Sequence, residues 1–225
     1  MIVRWSVIAF SLVAAGCGAP SSKVNDDALA PAVVGGYYMP AGYTLVPYLS
    51  DSPMHQFAAA DKVLDIGKDY LAVVETDAGK IVIDLFESKT PITVNSFVFL
   101  TLHHYFDGIA FHRVIDGFVA QGGDPNTLDT DTNGWGQGGP GYQFGLEIDK
   151  SLNFDAAGVV GMARASDPNS NGSQFYITLA AATNLDGQYT VFGKVTEGLS
   201  TLPLLTRGEP PAKPSRMIRV YAVVK

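Results

Sequence analysis

The chain has 225 residues, of which 47% are hydrophobic and only 16% charged, enough apolar material for one domain of about 150 residues plus an N-terminal extension. Its formal net charge is −7, and lysine and arginine cluster nowhere along the sequence. A nucleic-acid-binding surface needs a basic stripe or patch, so this composition excludes nucleic acid as a partner.

The first 16 residues (1–16) are typical of a signal peptide. Arg4 supplies a positive charge, and residues 5–15 form an apolar run that is long enough for a signal peptide but too short for a spanning helix. Small residues then precede Cys17, the one cysteine of the chain. This order resembles a bacterial lipobox, although Ala14 stands where leucine is most common. The alternative is an ordinary signal peptide with a chance cysteine at its end.

If Cys17 is lipidated, residues 17–68 form a lipid-anchored tether at the extracytoplasmic face of the cell envelope. Glycines and prolines interrupt this segment, and it shows no sustained periodicity. Its four tyrosines make it more apolar than a simple flexible linker. Two alternatives follow: the segment docks on the domain or the membrane interface, or it is disordered.

Regular patterns begin at about residue 70 and indicate a domain over residues 69–225. Residues 71–76 and 80–86 flank a short turn containing glycine, which predicts a β-hairpin. Thr90 as N-cap and Pro91 at the first helical position then predict a helix, because apolar residues recur after them at spacings of three and four.

The rest of the domain is predicted to consist of short strands separated by loops rich in glycine, asparagine and aspartate. These strands are expected over residues 109–115, 118–121, 158–163, 174–179, 189–195 and 217–224. A second, short helix is expected over residues 197–205, where Pro203 limits its length. Many short strands and few helices favour a mainly β fold, either a sandwich or a closed barrel.

The most informative segment spans residues 111–124. Arg113, Phe118 and Gln121 lie there in a strand–turn–strand pattern, so the three side chains can point onto one surface if both flanking segments are extended. That surface would combine a rigid fork of donors with an apolar floor, and it would contain no nucleophile. This combination favours a reaction that depends on shape and hydrogen bonds.

Three segments, in the same order and spacing, resemble the cyclophilin family of peptidyl-prolyl cis–trans isomerases. They are residues 111–124, residues 158–163 leading to 171–177, and residues 185–195. The resemblance spans about residues 70–225. It implies a closed eight-stranded antiparallel β-barrel capped by two helices, with the active site in a groove on the outside of the barrel.

The resemblance also implies roles for individual residues. Arg113 resembles the family's catalytic arginine, and Phe118 and Gln121 complete the catalytic set. The pocket for the proline ring of the substrate would be lined by Phe118, Val119, Tyr176, Leu185 and Tyr189. The peptide backbone around that ring would be bound by Gln121, Gly136, Ala163, Arg164, Ala165 and Gln174.

The sequence departs from the family pattern at several of these positions. Asn184 stands where members often have tryptophan, which should weaken binding of the inhibitor cyclosporin more than turnover. Asp116 stands where a proline commonly stiffens the turn, so the spacing between Arg113 and Phe118 could loosen. Tyr176 replaces the more usual phenylalanine and adds a hydroxyl at the pocket wall.

The predicted function is therefore the acceleration of X–Pro bond rotation in exported or envelope proteins. Proline-containing polypeptides are the expected partners, the protein is expected to be a monomer, and no metal or other cofactor is expected. His103, His104 and His112 lack the carboxylates or cysteines that would complete a metal site, and Ser173 lacks a nucleophile elbow. One alternative is a non-catalytic cyclophilin-like binding or chaperone module. Another is a scaffold in which the tether is the functional part.

Overall fold

The computed structural model describes residues 31–225, so the predicted signal peptide and Cys17 lie outside the described residues. The described part is mainly β, with eleven strands, one α-helix and four short 3₁₀ helices. No helix within it is long and apolar enough to cross a membrane. The mainly β class expected from the sequence is confirmed.

The strands are short and are numbered in chain order. They are β1 (Ala32–Val34), β2 (Tyr37–Met39), β3 (Thr44–Leu45), β4 (Tyr70–Thr76), β5 (Gly79–Leu85), β6 (Arg113–Val114), β7 (Val119–Gly122), β8 (Val159–Met162), β9 (Phe175–Thr178), β10 (Val191–Glu197) and β11 (Met217–Val224). The α-helix, α1, is Pro91–Leu102. The 3₁₀ helices are Pro125–Leu128, Thr132–Gly134, Thr183–Leu185 and Leu199–Leu204.

Nine of the strands form one antiparallel sheet in the order β3-β11-β4-β5-β10-β8-β9-β7-β6, and β1 pairs with β2 as a separate hairpin. The two end strands, β3 and β6, do not pair with each other. The ladder therefore has nine strands where eight were expected, and its ends are not joined. Residues 108–111 and 215–217 do exchange backbone hydrogen bonds, from Phe111 N to Ser215 O at 2.9 Å and from Met217 N to Ile109 O at 2.9 Å.

The predicted hairpin is β4–β5, with Thr76 opposite Gly79 at its tip. The predicted helix begins at Pro91 with Thr90 at the N-cap position, as expected, although the Thr90 side chain makes no cap hydrogen bond. The carboxylate of Glu147 instead accepts hydrogen bonds from the backbone N–H groups of Ile92 and Thr93, at 3.2 and 2.7 Å. A negative charge at this end also complements the helix dipole.

The predicted second helix is a 3₁₀ helix, Leu199–Leu204, rather than an α-helix. Pro203 has no N–H to donate to an α-helical ladder, which explains the short and tighter form. The strand expected over residues 109–115 is also shorter than predicted. It is reduced to β6 because residues 109–111 turn toward the start of β11.

The core lies between the sheet and α1. Most of α1 is buried, which indicates that it is covered on more than one side. Phe97 of this helix contacts the rings of Phe106 and Phe175, with centroids 4.9 and 5.5 Å apart. Since Phe175 lies in β9, this aromatic group fixes the helix against the strands that carry the candidate site.

The described part of the predicted tether, residues 31–68, lies against the domain. Its tyrosines cover an apolar patch on the sheet centred on Val73, Tyr221 and Val223. Tyr37 packs edge-on against Tyr221 with a centroid distance of 5.0 Å. Of the two alternatives left by the sequence, docking on the domain is what the structure shows for these residues. We call residues 44–65 the strap.

Candidate active site

Strand register brings the predicted catalytic residues together. In the β6–β7 pair Arg113 lies opposite Gln121, and in the β7–β9 pair Gln121 lies opposite Tyr176. Residues directly opposite each other in an antiparallel ladder present their side chains on the same face. The turn between β6 and β7 is closed by hydrogen bonds from Ile115 N to Val119 O at 2.9 Å and from Phe118 N to Ile115 O at 3.1 Å.

Asp116, expected to loosen this turn, does not open it. Its carboxylate instead pairs with the guanidinium of Arg207 at 2.5 Å. The Arg113 guanidinium carbon lies 5.5 Å from the centroid of the Phe118 ring, within the range of a cation–π contact. The spacing of these two side chains is therefore preserved.

Arg113 is also held by an acidic residue that no local sequence pattern predicts. Its Nε donates to Oε1 of Glu209, and the Arg113 side chain is 29% exposed. Glu209 is brought there because Val114 and Gly208 exchange two backbone hydrogen bonds, at 2.8 and 3.0 Å. Within residues 31–225 the guanidinium makes no other hydrogen bond, so its terminal amino groups can donate to a bound peptide.

The residues predicted to surround a proline ring belong to one apolar cluster. It contains Phe118, Val119, Tyr176, Leu185 and Tyr189, together with Ala163 and the buried Phe154. Tyr176 packs edge-on against Tyr189 with a centroid distance of 6.0 Å, and it lies 5.5 Å from Phe154. We call the five predicted residues the ring pocket.

The hydroxyl of Tyr176 is buried and has no hydrogen-bond partner among the described residues. Burial raises the pKa of Tyr176 above its ordinary value, so the group stays protonated in the physiological range. Space around the ring is tight, since a Cβ at Gly161 would lie 2.7 Å from this hydroxyl oxygen. Tyr176 therefore places an unsatisfied polar atom within the apolar cluster.

Beside this cluster lies a depression of about 780 Å³, which we call the polar cleft. It contains all the residues predicted to bind the peptide backbone: Gln121, Gly136, Ala163, Arg164, Ala165 and Gln174. Gln121 Nε2 donates to Gln174 Oε1 at 3.0 Å, and Gln174 Nε2 donates to Gly138 O at 2.9 Å. Ala163 belongs to the apolar cluster and also lines the cleft, and Gln121 of the cleft lies opposite Tyr176 in the ladder, so the two regions adjoin.

Arg164 has a more local role than the sequence implied. Its guanidinium donates to the backbone oxygens of Gln188 and Ala165, both at 2.8 Å. It also lies over the Tyr189 ring, 4.8 Å from the centroid. These contacts occupy most of its donors with protein groups, so Arg164 braces the wall of the ring pocket as well as lining the cleft.

The loop over residues 134–141 forms one side of the polar cleft and is fixed by Asp124. This buried carboxylate accepts hydrogen bonds from the backbone N–H groups of Asn126 and Gly136. A Cβ at Gly138 would lie 2.1 Å from Asp124 Oδ1, so the loop approaches as closely as it does only because glycine has no side chain.

His112, adjacent to Arg113 in the chain, is buried beside this loop. Burial lowers its pKa; the negative charge of Asp124 opposes that shift, and the positive charge of Arg113 reinforces it. The ring is therefore neutral near pH 7. No group of three or more potential ligands within residues 31–225 is arranged to hold a metal ion.

Several residues of the site could not be identified from the sequence. Glu209 is separated from Arg113 by 96 positions, and Gln56 enters the polar cleft from the strap. Gln137 and Gln143 line the cleft from the glycine-rich region. Glu209 and Gln56 belong to no segment with a distinctive local pattern, and the glycines around Gln137 and Gln143 do not indicate which site the loop borders.

Comparison with known proteins shows which sequences this chain is similar to. Residues 71–224 match the family model described as "Cyclophilin type peptidyl-prolyl cis-trans isomerase/CLD". A peptidyl-prolyl cis-trans isomerase of Schizosaccharomyces pombe is 40% identical over 158 residues, which cover 67% of this chain and 97% of that protein. One from Helicobacter pylori is 39% identical over 147 residues, covering 64% of this chain and 85% of that protein.

Solved structures are similar over the same region. A crystal structure of a cyclophilin-type isomerase from Cryptosporidium parvum, in the presence of the dipeptide Ala-Pro, superposes with a TM-score of 0.61. It shares 32% sequence identity, and the match covers 67% of this chain and 97% of that one. The matched family region begins at residue 71, so the strap lies outside it.

Proposed function

The chain belongs to the family of cyclophilin-type peptidyl-prolyl cis–trans isomerases, and from that premise we propose that it accelerates X–Pro rotation in exported or envelope proteins through Arg113. The observation that carries the proposal is the juxtaposition of a permanently charged guanidinium with an apolar pocket. Arg113 lies over Phe118, the ring pocket adjoins it, and Gln121 stands opposite in the ladder.

The reaction rotates an amide bond against a barrier of about 18–20 kcal/mol, which takes tens to hundreds of seconds unaided. Twisting removes resonance and returns the lone pair to the prolyl nitrogen, which then accepts a hydrogen bond. Arginine stays protonated and donates from a planar fork. Because the planar ground state offers a poorer acceptor, a bond from Arg113 to this nitrogen lowers the barrier.

The ring pocket and Gln121 supply the positioning. The apolar side chains hold the five-membered ring while the residue before it rotates, and a substrate carbonyl can bond to Gln121. An acceleration of about 10⁴-fold requires roughly 5.5 kcal/mol. One charge-assisted hydrogen bond in a partly desolvated groove, together with fixed positioning of the ring, is of that order. No covalent step or cofactor is needed.

The test compares cis-to-trans rates of a short X–Pro peptide for wild type, Arg113→Ala and Arg113→Lys. We expect Arg113→Ala to lose about 10²- to 10³-fold in kcat/KM, as for removal of one preorganised donor. Arg113→Lys should recover only part of this because lysine lacks the planar fork. Lys213→Ala, which removes an exposed cation from the loop that follows Glu209, is the matched control and should retain the wild-type rate.

Equal rates for wild type and Arg113→Ala, both near the uncatalysed rate, would favour the alternative of a non-catalytic binding or chaperone module. Binding of a proline-containing peptide without turnover, measured by calorimetry, would then identify that module. The similar Cryptosporidium parvum structure was obtained in the presence of the dipeptide Ala-Pro. This supports a proline-containing segment as the ligand, whether the protein is an isomerase or a binding module.

The proposed location is the extracytoplasmic face of the cell envelope, with the protein anchored through a lipidated Cys17. The support is the sequence order of Arg4, an apolar run and small residues before this cysteine. Mass analysis of the mature N-terminus tests the proposal. A diacylglyceryl mass on Cys17 that disappears in Cys17→Ser is expected, and a mature chain without any lipid mass would contradict it.

We also propose that the nine-stranded sheet is closed into a barrel in solution. The hydrogen bonds between residues 108–111 and 215–217 support this, because they link the chain leading into edge strand β6 to the start of β11. Slow hydrogen exchange of the Phe111 and Met217 amides, comparable to that of amides in the β4–β5 ladder, is the expected result. Rapid exchange at both amides would indicate an open sheet.

A further inference from the structure

We propose that the strap forms part of the substrate groove and that Gln56 contacts the bound polypeptide beside its proline, so that it contributes to substrate selection. The inference rests on the proposed function of the groove. It goes beyond that function because residues 44–65 precede the region matched by the family model, which begins at residue 71.

The strap follows a fixed path over the domain. It leaves the sheet at β3, which pairs with β11, and passes the end of α1, where Met54 N donates to His103 O at 3.0 Å. It then returns along the helix, where the amide oxygen of Asn95 accepts a hydrogen bond from Val63 N at 2.9 Å. The segment between these attachments reaches the polar cleft.

Phe57 anchors this middle segment. Its ring packs edge-on against Phe99 and His103, with both centroid distances 5.0 Å. Its backbone N–H donates to Pro140 O at 2.8 Å. One residue therefore attaches the strap both to α1 and to the loop that borders the cleft, and this fixes the position of the adjacent Gln56.

The loop and the strap fit each other closely at Gly141. This glycine has a φ of +93°, and a Cβ there would lie 2.6 Å from Phe57 O and 2.9 Å from Gln56 Oε1. Any other residue would have to push the two segments apart. Such a close fit is expected if the strap is a fixed part of the groove wall.

The side chain of Gln56 is available to a ligand. It lines the polar cleft together with Gln121 and Gln174, and the residue is exposed. Its Nε2 lies 3.5 Å from Gly139 O, at the outer limit of a hydrogen bond, so this contact is easily exchanged for a better one. A carboxamide both donates and accepts, and it can therefore bond a backbone amide or a polar side chain.

The cleft indicates what kind of segment it binds. Among residues 31–225, five glutamines line it (Gln56, Gln121, Gln137, Gln143 and Gln174), and Arg164 is the one charged residue that does so. The guanidinium of Arg164 already donates to protein carbonyls. An uncharged polar stretch of polypeptide, rich in serine, threonine, asparagine or glutamine, matches this surface best.

The experiment compares two substrates, a tetrapeptide that fills the ring pocket and a nonapeptide with central proline and uncharged polar flanks. For Gln56→Ala we expect KM of the nonapeptide to rise about two- to tenfold relative to KM of the tetrapeptide, the effect of one hydrogen bond, with kcat preserved. Asp51→Ala, an exposed strap position that does not line the cleft, is the matched control.

A charged residue at position 56 distinguishes direct contact with the substrate from mere support of the loop. Gln56→Glu should shift the ratio of kcat/KM toward nonapeptides with lysine flanks and away from those with glutamate flanks, by about threefold or more. A residue that only supports the loop would change both peptides equally. Gln56→Asn should restore part of the preference for the polar nonapeptide.

Two results would overturn the inference: equal effects of Gln56→Ala on both substrate lengths, or no response of the charge preference to Gln56→Glu. Both are distinguishable from failure of the proposed function, which Arg113→Ala reports separately. Arg113→Ala removes turnover of both peptides if the active site is correct, whatever Gln56 does.

Discussion

The ring pocket and the polar cleft adjoin each other but are built in different ways. Three of the five ring-pocket residues, Phe118, Val119 and Tyr176, lie in or next to paired strands β7 and β9, whose register fixes their spacing. The polar cleft is bordered by a loop over residues 134–141 and by the strap. Ladder hydrogen bonds position most of the first region, whereas the second shares Gln121 of β7 with that ladder and takes its outer walls from loops.

This difference has a functional meaning. A strand ladder holds side chains with little freedom, which suits a step that depends on the exact placement of one donor and one ring. Loops tolerate sequence change and commonly carry recognition residues. We therefore expect changes in the ring pocket to lower turnover, and changes in the cleft to alter substrate preference or loop stability.

After the loss expected for Arg113→Ala, the next largest effect tests the role of the ring pocket in turnover. Phe118→Ala removes the ring beneath Arg113 and its apolar contact with a bound proline ring, which would contribute at most roughly 1.5–3 kcal/mol. We expect kcat/KM for a short X–Pro peptide to fall about 10- to 100-fold. Because Phe118 is only partly buried, the unfolding midpoint in urea should change little. A fall in activity matched by unfolding of the protein would contradict this explanation.

The second prediction tests the cleft half through its loop. Gly141→Ala places a Cβ against Phe57 O at a positive φ and should lower the free energy of unfolding by about 1–3 kcal/mol. Gly187→Ala is the matched control, since φ there is also positive, at +69°, and a Cβ meets nothing within 4 Å. Equal urea midpoints for the two variants would show that the strap and the loop do not fit tightly together in solution.

A smaller effect is expected at Glu209, a loop residue that pairs with Arg113 of strand β6. Glu209→Gln removes the charge that holds Arg113, and kcat/KM should fall about two- to fivefold, since half-exposed ion pairs are weak. Added salt should reduce the difference. Glu197→Gln, which breaks a comparably exposed pair with Lys80 elsewhere, should leave kcat/KM unchanged. A salt-independent loss would contradict the electrostatic role.

The smallest effect concerns the pH dependence of stability. Burial lowers the pKa of His112 below its ordinary 6.5, so the unfolded chain binds a proton there before the folded chain does. The free energy of unfolding is therefore highest, as far as His112 is concerned, above pH 6.5, where the ring is neutral in both states. It decreases as the pH falls below 6.5, because the unfolded chain then gains a proton that the folded chain does not. His112→Gln should therefore flatten the fall in the free energy of unfolding between about pH 7.5 and about pH 5.5.

His55 provides the comparison for this measurement, because burial also lowers its pKa. His55→Gln should remove a separate part of the same slope, and the double variant should remove both parts. An unchanged slope in His112→Gln would show that this ring is protonated in the folded protein without cost.

Much of the domain follows from the sequence because its determinants are local. The β4–β5 hairpin and the start of α1 at Pro91 depend on turn residues and periodicity within a few positions. The set Arg113, Phe118 and Gln121 comes from a single strand–turn–strand segment, and the antiparallel register brings Arg113 and Gln121 opposite each other.

Other features were decided only by the tertiary structure. The cap of α1 comes from Glu147 rather than Thr90, Arg113 is held by Glu209, and Gln56 reaches the cleft from the strap. Each of these contacts joins segments that are far apart in the chain, so no local sequence pattern predicts it. Docking of the strap likewise depends on the apolar surface and backbone partners that the folded domain offers. The sequence thus determined the local chemistry of the site, and long-range packing determined its surroundings.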